Sequence, residues 1–217
     1  MHSLNFLNSL YIDKDYKGLL SLYENDCEER AKVLLLCGEY KESASIYLKL
    51  GMLFEAGYCY LLNGELDKAE AVWDNLGEEN SWLIWGRILI KTLRGQLDEY
   101  PTYLQLRNFL EVEMSIFIEH KRYDFIERIL KSLDTFLDVN LECYKYVGRV
   151  FLNYGHPEKA LVYFLKFKEI SANDPEIQYL LAKNYMALDM PSRAEAAIQK
   201  CLQENPNYYP AKAFFEE

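Results

Sequence analysis

The chain has 217 residues, of which 50% are hydrophobic, so it can bury a sizeable core and is not a disordered chain. Its 24 basic and 34 acidic residues give a net charge of −10, which disfavours nucleic acid and anionic lipid surfaces as partners. Five cysteines, an odd number with no C-x-x-C pair, indicate neither a disulfide framework nor a zinc site, and we expect free thiols in a reducing compartment.

The start of the chain predicts an unprocessed cytoplasmic protein. The segment "MHSLNFLNSLYIDKD" lacks the basic start and the continuous apolar stretch of a signal peptide. The longest apolar runs, such as "VLLLC" at 33–37, are far shorter than the roughly 18 residues that cross a bilayer.

The N-terminal half predicts short helical hairpins. Apolar residues recur at three- and four-residue spacing, and glycine or Asp-Lys turns separate the segments, which is typical of paired helices and not of strands. Four segments follow this pattern, the first and the last more weakly: "LYIDKDYKGLLSLYEN", "AKVLLLCGEYKESASIYLKL", "GYCYLLNGELDKAEAVWDNL" and "SWLIWGRILIKTLRGQLDEY".

The C-terminal half contains a 34-residue repeat. "YKYVGRVFLNYGHPEKALVYFLKF" aligns without a gap to "QYLLAKNYMALDMPSRAEAAIQKC", with Gly148 over Ala182 and Ala160 over Ala194. A degenerate third copy, "LEVEMSIFIEHKRYDFIERILKSL", precedes them by the same interval. Small residues at matching places predict close helix crossings, with large neighbours such as Phe164 filling the adjacent groove. Ala197 extends the close contact of Ala194.

These units resemble tetratricopeptide repeats. The family pattern W-x2-L-G-x2-Y, then Ala, Phe, Ala and Pro, is approached by "QYLLAKNY" and "RAEAAIQKCLQENP" in residues 178–206, and by "WLIWG" at 82–86. The resemblance implies an all-α, right-handed α-solenoid of six to seven hairpins. The predicted single array comprises short divergent repeats (1–98), a degenerate region (99–140), two well-matched repeats (141–207) and the start of a capping helix (208–217). Ala172 replaces the terminal proline of the first well-matched repeat.

The same patterns predict where the helices break. We expect nearly all ordered residues to be helical, with breaks near nine positions: Asn25, Gly38, Gly64, Gly77, Gly95, Arg122, Gly155, Asp189 and Asn205.

No pattern indicates catalysis. His2, His120 and His156 are far apart and lie in no metal-ligand spacing, and the chain has no phosphate-binding glycine loop. Carboxylate pairs such as Glu28/Glu29 and Glu78/Glu79 fit helix starts. We therefore expect a protein without enzymatic activity, cofactor or metal.

The repeat also predicts a binding surface. In helical solenoids the first helix of each pair lines the concave face, and its outward row recurs every four residues. Leu62, Leu83 and Ala187 fall on this row. The candidate partner-binding residues on it are Phe54, Tyr58, Arg87, Lys91, Lys145, Arg149, Asn153, Tyr179 and Lys183.

Two interpretations of the basic residues remain open. Lys145, Arg149 and Lys183 on one wall would suit an acidic ligand, or Glu142 and Glu176 would neutralise them. Some family members hold C-terminal carboxylates with a lysine, asparagine and arginine clamp. Ser115 stands at the equivalent of Arg149 in the previous unit, so that role is not carried over.

The sequence thus predicts a non-enzymatic scaffold that holds a peptide or helical segment of another protein in its groove. The alternative is a self-assembling protein or assembly chaperone that uses an apolar N-terminal wall or the final segment "YYPAKAFFEE".

Overall fold

A computed structural model describes residues 15–77, 80–96 and 100–214. All regular secondary structure in these ranges is helical, which confirms the all-α prediction. None of their helices combines the length and the apolar content needed to cross a membrane. The predicted pair Glu78/Glu79 and His2 lie outside the described residues, as do the last three residues of the chain.

The chain divides into two compact units. The first contains the described residues up to Gln96 together with His120–Arg122. Its helices are α1 (Tyr16–Leu20), α2 (Glu28–Cys37), α3 (Tyr40–Lys49), α4 (Leu53–Leu62), α5 (Leu66–Trp73) and α6 (Ser81–Arg94). Each of these helices packs against the next one along the chain. The turns inside the hairpins α2–α3 and α4–α5 contain Gly38 and Gly64, whose φ angles of 84° and 86° favour glycine.

Trp73 forms the centre of the first unit. Its side chain is fully buried, and its Nε1 donates a hydrogen bond of 2.9 Å to the carbonyl oxygen of Phe54. A methyl group at either Gly57 or Gly86 would lie less than 3.0 Å from the Trp73 ring. The two glycines therefore let α4 and α6 approach this large ring closely.

The second unit comprises 97–119 and 123–217, of which the structure describes 100–119 and 123–214. Its helices are α7 (Tyr103–Asn108), a π-helical segment (Phe109–Glu113), α8 (Met114–Glu119), α9 (Tyr123–Lys131), α10 (Leu133–Phe136), α11 (Cys143–Asn153), α12 (Pro157–Ile170), α13 (Pro175–Ala187), α14 (Pro191–Glu204) and α15 (Tyr209–Lys212). The pairs α11–α12 and α13–α14 are hairpins with extensive contact, and α12 also packs against α13.

Local sequence explains the ends of these helices. Pro157, Pro175 and Pro191 occupy first-turn positions, where a missing N–H costs no hydrogen bond. Asp174 caps α13, since its Oδ1 accepts hydrogen bonds from the backbone N–H groups of Glu176 and Ile177 at 2.8 and 3.3 Å.

The small residues lie where the repeat predicts close packing. Gly148, Ala160, Ala182 and Ala194 are buried. A methyl group at Gly148 would lie less than 3.0 Å from the Phe164 ring, so α11 and α12 cross closely at this point. Ala197 is 7% exposed and lies on the same face of α14 as Ala194.

All nine predicted breaks lie in segments between helices, and the structure adds breaks at 50–52, 132, 137–142 and 171–174. The segment from Ser81 to Tyr100 differs from the prediction of a hairpin. Its first helix, α6, extends to Arg94, and the described residues between Arg94 and Tyr103 form no helix. Five complete hairpins lie within the described ranges: α2–α3, α4–α5, α8–α9, α11–α12 and α13–α14.

Candidate functional site

An aromatic surface formed by Phe54, Tyr58, Trp82 and Trp85 lies on α4 and α6 of the first unit. Phe54 and Tyr58 are one turn apart on α4, and Trp82 and Trp85 are three residues apart on α6, so each pair shares one helix face. Trp82 is 55% exposed, and the other three side chains are half-buried. The residues thus offer a continuous group of rings to solvent.

The rings of this aromatic surface contact one another. The ring centroids of Phe54 and Trp82 are 4.7 Å apart, and those of Tyr58 and Trp85 are 6.3 Å apart. Phe54 also stacks on the buried Trp73, with 5.7 Å between centroids and 16° between planes. Because a buried ring supports the exposed ones, the aromatic surface is held in place before any ligand arrives.

The sequence predicted Phe54 and Tyr58 for this surface but not Trp82 or Trp85. Leu62 and Leu83 were placed on the same outward row, and that placement is wrong, since they are 1% and 0% exposed. The helical register explains the error: the face of α6 that meets solvent carries Trp82, one residue before Leu83. The W-x-x-W spacing in "SWLIWG" was the signal in the sequence.

Arg87 and Lys91, the basic residues predicted on α6, follow Trp85 along the same helix. Arg87 is half-buried, and its Nη2 forms an ion pair of 2.7 Å with Asp74. Lys91 is also half-buried. The side chains of this ion pair are 42% and 48% exposed, and a pair so accessible to water contributes little to stability, so Arg87 can exchange Asp74 for another carboxylate at small cost.

Lys145 of the second unit is not the exposed groove cation that the sequence predicted. Its side chain is 2% exposed, and its Nζ lies 2.9 Å from Glu142, 3.0 Å from Asp174 and 2.7 Å from Glu176. It also lies 4.8 Å from the centroid of the Phe167 ring. Burial by itself would lower the pKa of Lys145, but the hydrogen bonds to the three carboxylates raise it above its ordinary value.

Arg149 is paired as well. Its guanidinium lies 3.4 Å from Glu176 and 3.8 Å from Glu111, and 5.4 Å from the centroid of the Tyr146 ring. Of the two interpretations left open by the sequence, neutralisation by Glu142 and Glu176 is the one found for Lys145. The physical reason is that the cap of α13 brings Asp174 and Glu176 beside α11.

Asn153, Tyr179 and Lys183 are the remaining candidate partner-binding residues of the second unit. Asn153 and Lys183 are exposed, and the Lys183 Nζ lies 5.9 Å from the centroid of the Tyr179 ring. Tyr179 is half-buried against Tyr208 and Phe214, at centroid distances of 5.7 and 5.9 Å. The described part of the final segment therefore packs on α13 within its own chain.

His120 contacts a tyrosine hydroxyl, and a charged cleft in the first unit is open to water. His120 Nδ1 is 3.0 Å from the Tyr40 hydroxyl, and the described residues contain no group of three or more His, Cys, Asp or Glu suited to a metal. An open cleft of about 500 Å³ in the first unit contains Asp67 and Arg94, which form an ion pair of 2.5 Å. Asp67 is 97% exposed, so this cleft does not shield a titratable pair from water.

Comparisons with known proteins agree with this architecture at one place in the chain. The family model described as the tetratricopeptide repeat matches residues 175–208, which include α13 and α14. No curated protein matches the sequence. Among solved structures, the chain is similar to the crystal structure of YrrB, a TPR protein with an unusual peptide-binding site. The identity is 14% and the TM-score is 0.37, over 93% of this chain and 98% of that one. The resemblance predicted from the sequence is thus confirmed in the last complete hairpin, where residues 175–208 match the tetratricopeptide-repeat model.

Proposed function

We propose that the protein is a non-enzymatic scaffold that binds a peptide or helical segment of another protein. The tetratricopeptide repeat at 175–208 and the helical hairpins of both units support this class of function. The observation that carries the proposal is the aromatic surface of Phe54, Tyr58, Trp82 and Trp85, with a tryptophan 55% exposed to water.

Exposed tryptophan and tyrosine side chains on a supported surface favour protein binding. They bury a large apolar area on contact, lose little conformational entropy, and are enriched among the residues that dominate interface energies. An apolar or aromatic side chain of the partner would pack against the exposed faces of Trp82 and Phe54, whose rings already contact each other. A carboxylate near it would reach Arg87, whose partner Asp74 is itself exposed.

A capture experiment with matched variants tests this proposal. Intact protein, Trp82→Ala and Leu141→Ala are each used to capture partners from a lysate of the source cells, and the captured proteins are identified by mass spectrometry. Leu141 is a suitable control because it is 59% exposed and lies in the second unit. We expect Trp82→Ala to lose the specific partner and Leu141→Ala to keep it, with all three proteins equally folded by circular dichroism.

The experiment also separates this function from self-assembly. If the protein retained by the wild type and lost by Trp82→Ala is a second copy of the chain, sedimentation velocity will show a concentration-dependent oligomer that the variant lacks. Equal capture by Trp82→Ala and the wild type would contradict a role for the aromatic surface.

A further inference from the structure

A basic cavity of about 360 Å³ in the second unit lies away from the predicted groove row. Side chains of α12, α13 and α14 line it. Its charged residues are Lys168, Arg193 and Lys200, and within the described part of the chain no acidic side chain lines it. Such a cavity is unexpected in a protein with a net charge of −10.

Among the described residues, no carboxylate forms an ion pair with the positive charges of this cavity. Neither Lys168 nor Lys200 has an ion pair with a carboxylate among residues 15–77, 80–96 and 100–214. The guanidinium of Arg193 lies 5.9 Å from the centroid of the Tyr185 ring, and its Nη1 is 3.8 Å from the sulfur of Met190. The cavity therefore has three cations available to an anionic ligand.

The preceding hairpin has a corresponding cavity of about 350 Å³. Four of its lining residues stand 34 residues before lining residues of the basic cavity: Phe151, Lys159, Val162 and Tyr163. There the Tyr163 ring stacks on Phe151, with 5.7 Å between centroids and 16° between planes, and Lys159 lies 5.6 Å from the Phe151 centroid. The repeat places Ala197 at the position of Tyr163 and Tyr185 at the position of Phe151. The basic cavity thus lacks the ring that occupies its counterpart.

The two cavities also differ in charge. Glu127 lines the earlier one, and Asp134 stands at the repeat position of Lys168. Compared with the earlier cavity, the basic cavity therefore lacks a ring and a lining carboxylate. A ligand that replaces both would carry an aromatic ring with acidic groups beside it.

We propose that the basic cavity binds an aromatic side chain flanked by acidic residues in a segment of another protein. The ring packs on Tyr185 over Ala197, as Tyr163 packs on Phe151, and the flanking carboxylates contact Lys168, Arg193 and Lys200. This site lies in the second unit, whereas the aromatic surface lies in the first. Either proposal can fail without the other.

Nuclear magnetic resonance on the intact ¹⁵N-labelled protein tests this site with defined probes. The probes are three N-acetylated and C-amidated peptides: Glu-Phe-Glu, Lys-Phe-Lys and Glu-Ala-Glu. We expect Glu-Phe-Glu to shift the amide resonances of Gln178 and Ala197, with a dissociation constant roughly tenfold lower than those of the other two peptides. Equal dissociation constants for the three peptides would overturn the proposal.

Three variants locate the binding. Ala197→Tyr supplies the ring that the preceding hairpin already accommodates, and Lys168→Glu/Lys200→Glu reverses the charge at the rim. We expect each to weaken Glu-Phe-Glu binding by roughly tenfold. Lys159→Glu, in the equivalent cavity, is the matched control and should bind as the wild type does. Unchanged binding by the charge-reversed variant, whose spectrum reports its folding, would refute the site even if Ala197→Tyr does not fold.

Discussion

Lys145 links two consecutive hairpins, because its ammonium contacts Glu142 on its own hairpin and Asp174 and Glu176 on the next one. A buried cation of this kind is tolerated only while its partners are present, and removing one partner of a buried pair costs about 3–5 kcal/mol. The charge that looked available to a ligand in the sequence is thus used for packing. The 34-residue repeat that predicts Lys145 on the groove row also contains its neutralising carboxylates, since Glu142 and Glu176 are 34 residues apart.

Glu142 makes this linkage sensitive to pH. The hydrogen bond from Lys145 lowers the pKa of Glu142 below its ordinary value of 4.5. Since the folded-state pKa is the lower one, ionised Glu142 stabilises the fold above pH 4.5, and this stabilisation disappears as the pH falls through the folded-state pKa. We expect Glu142→Gln to melt at a lower temperature than the wild type at pH 7. The difference should shrink at pH 3, as measured by thermal melts followed by circular dichroism.

Glu169→Gln is the control for the pH experiment, because Glu169 is exposed on α12. It should melt like the wild type at both pH values. A constant gap between Glu142→Gln and the wild type from pH 7 to pH 3 would show that the ionised carboxylate is not the stabilising form.

At the scale of the helical elements, most of the hairpin pattern could be predicted from the sequence. The 34-residue interval and the small residues at Gly148 and Ala182 fix where helices cross, because steric contacts at a crossing depend on local residues. The solvent exposure of Lys145 and Trp82 could not be predicted in this way. It depends on which other helix covers each residue: α13 carboxylates cover Lys145, and no described helix completes a hairpin with α6.

The crossing of α11 and α12 gives a prediction about stability. Gly148→Leu would force a branched side chain against the Phe164 ring, which a single added methyl group already approaches to less than 3.0 Å. We expect a loss of at least about 1–3 kcal/mol in the free energy of unfolding, measured by urea denaturation. Asn153→Leu, at an exposed site of the same helix, should change it by less than about 0.5 kcal/mol. Equal midpoints and slopes for the two variants would mean that the crossing lies elsewhere.

At the scale of the whole molecule, each of the two compact units buries a large aromatic side chain against a glycine of a neighbouring helix. Trp73 is fully buried in the first unit, and Phe164 is fully buried in the second. They are equivalent in the repeat, since each packs on a glycine 16 residues earlier, Gly57 or Gly148. In repeat proteins each element contacts mainly its neighbours, so a local defect is felt most strongly by the adjacent helices.

This equivalence predicts a reciprocal pattern of hydrogen exchange. Trp73→Ala and Phe164→Ala each remove a buried ring, a change that typically costs about 3–5 kcal/mol. We expect Trp73→Ala to accelerate amide exchange mainly in α4–α6, and Phe164→Ala mainly in α11–α13, as read by mass spectrometry of peptic fragments. The two variants serve as controls for each other, because they differ only in the unit that loses its ring. Equal acceleration in both units by either variant would show that the chain opens as one cooperative unit, in which case the two compact units do not respond separately.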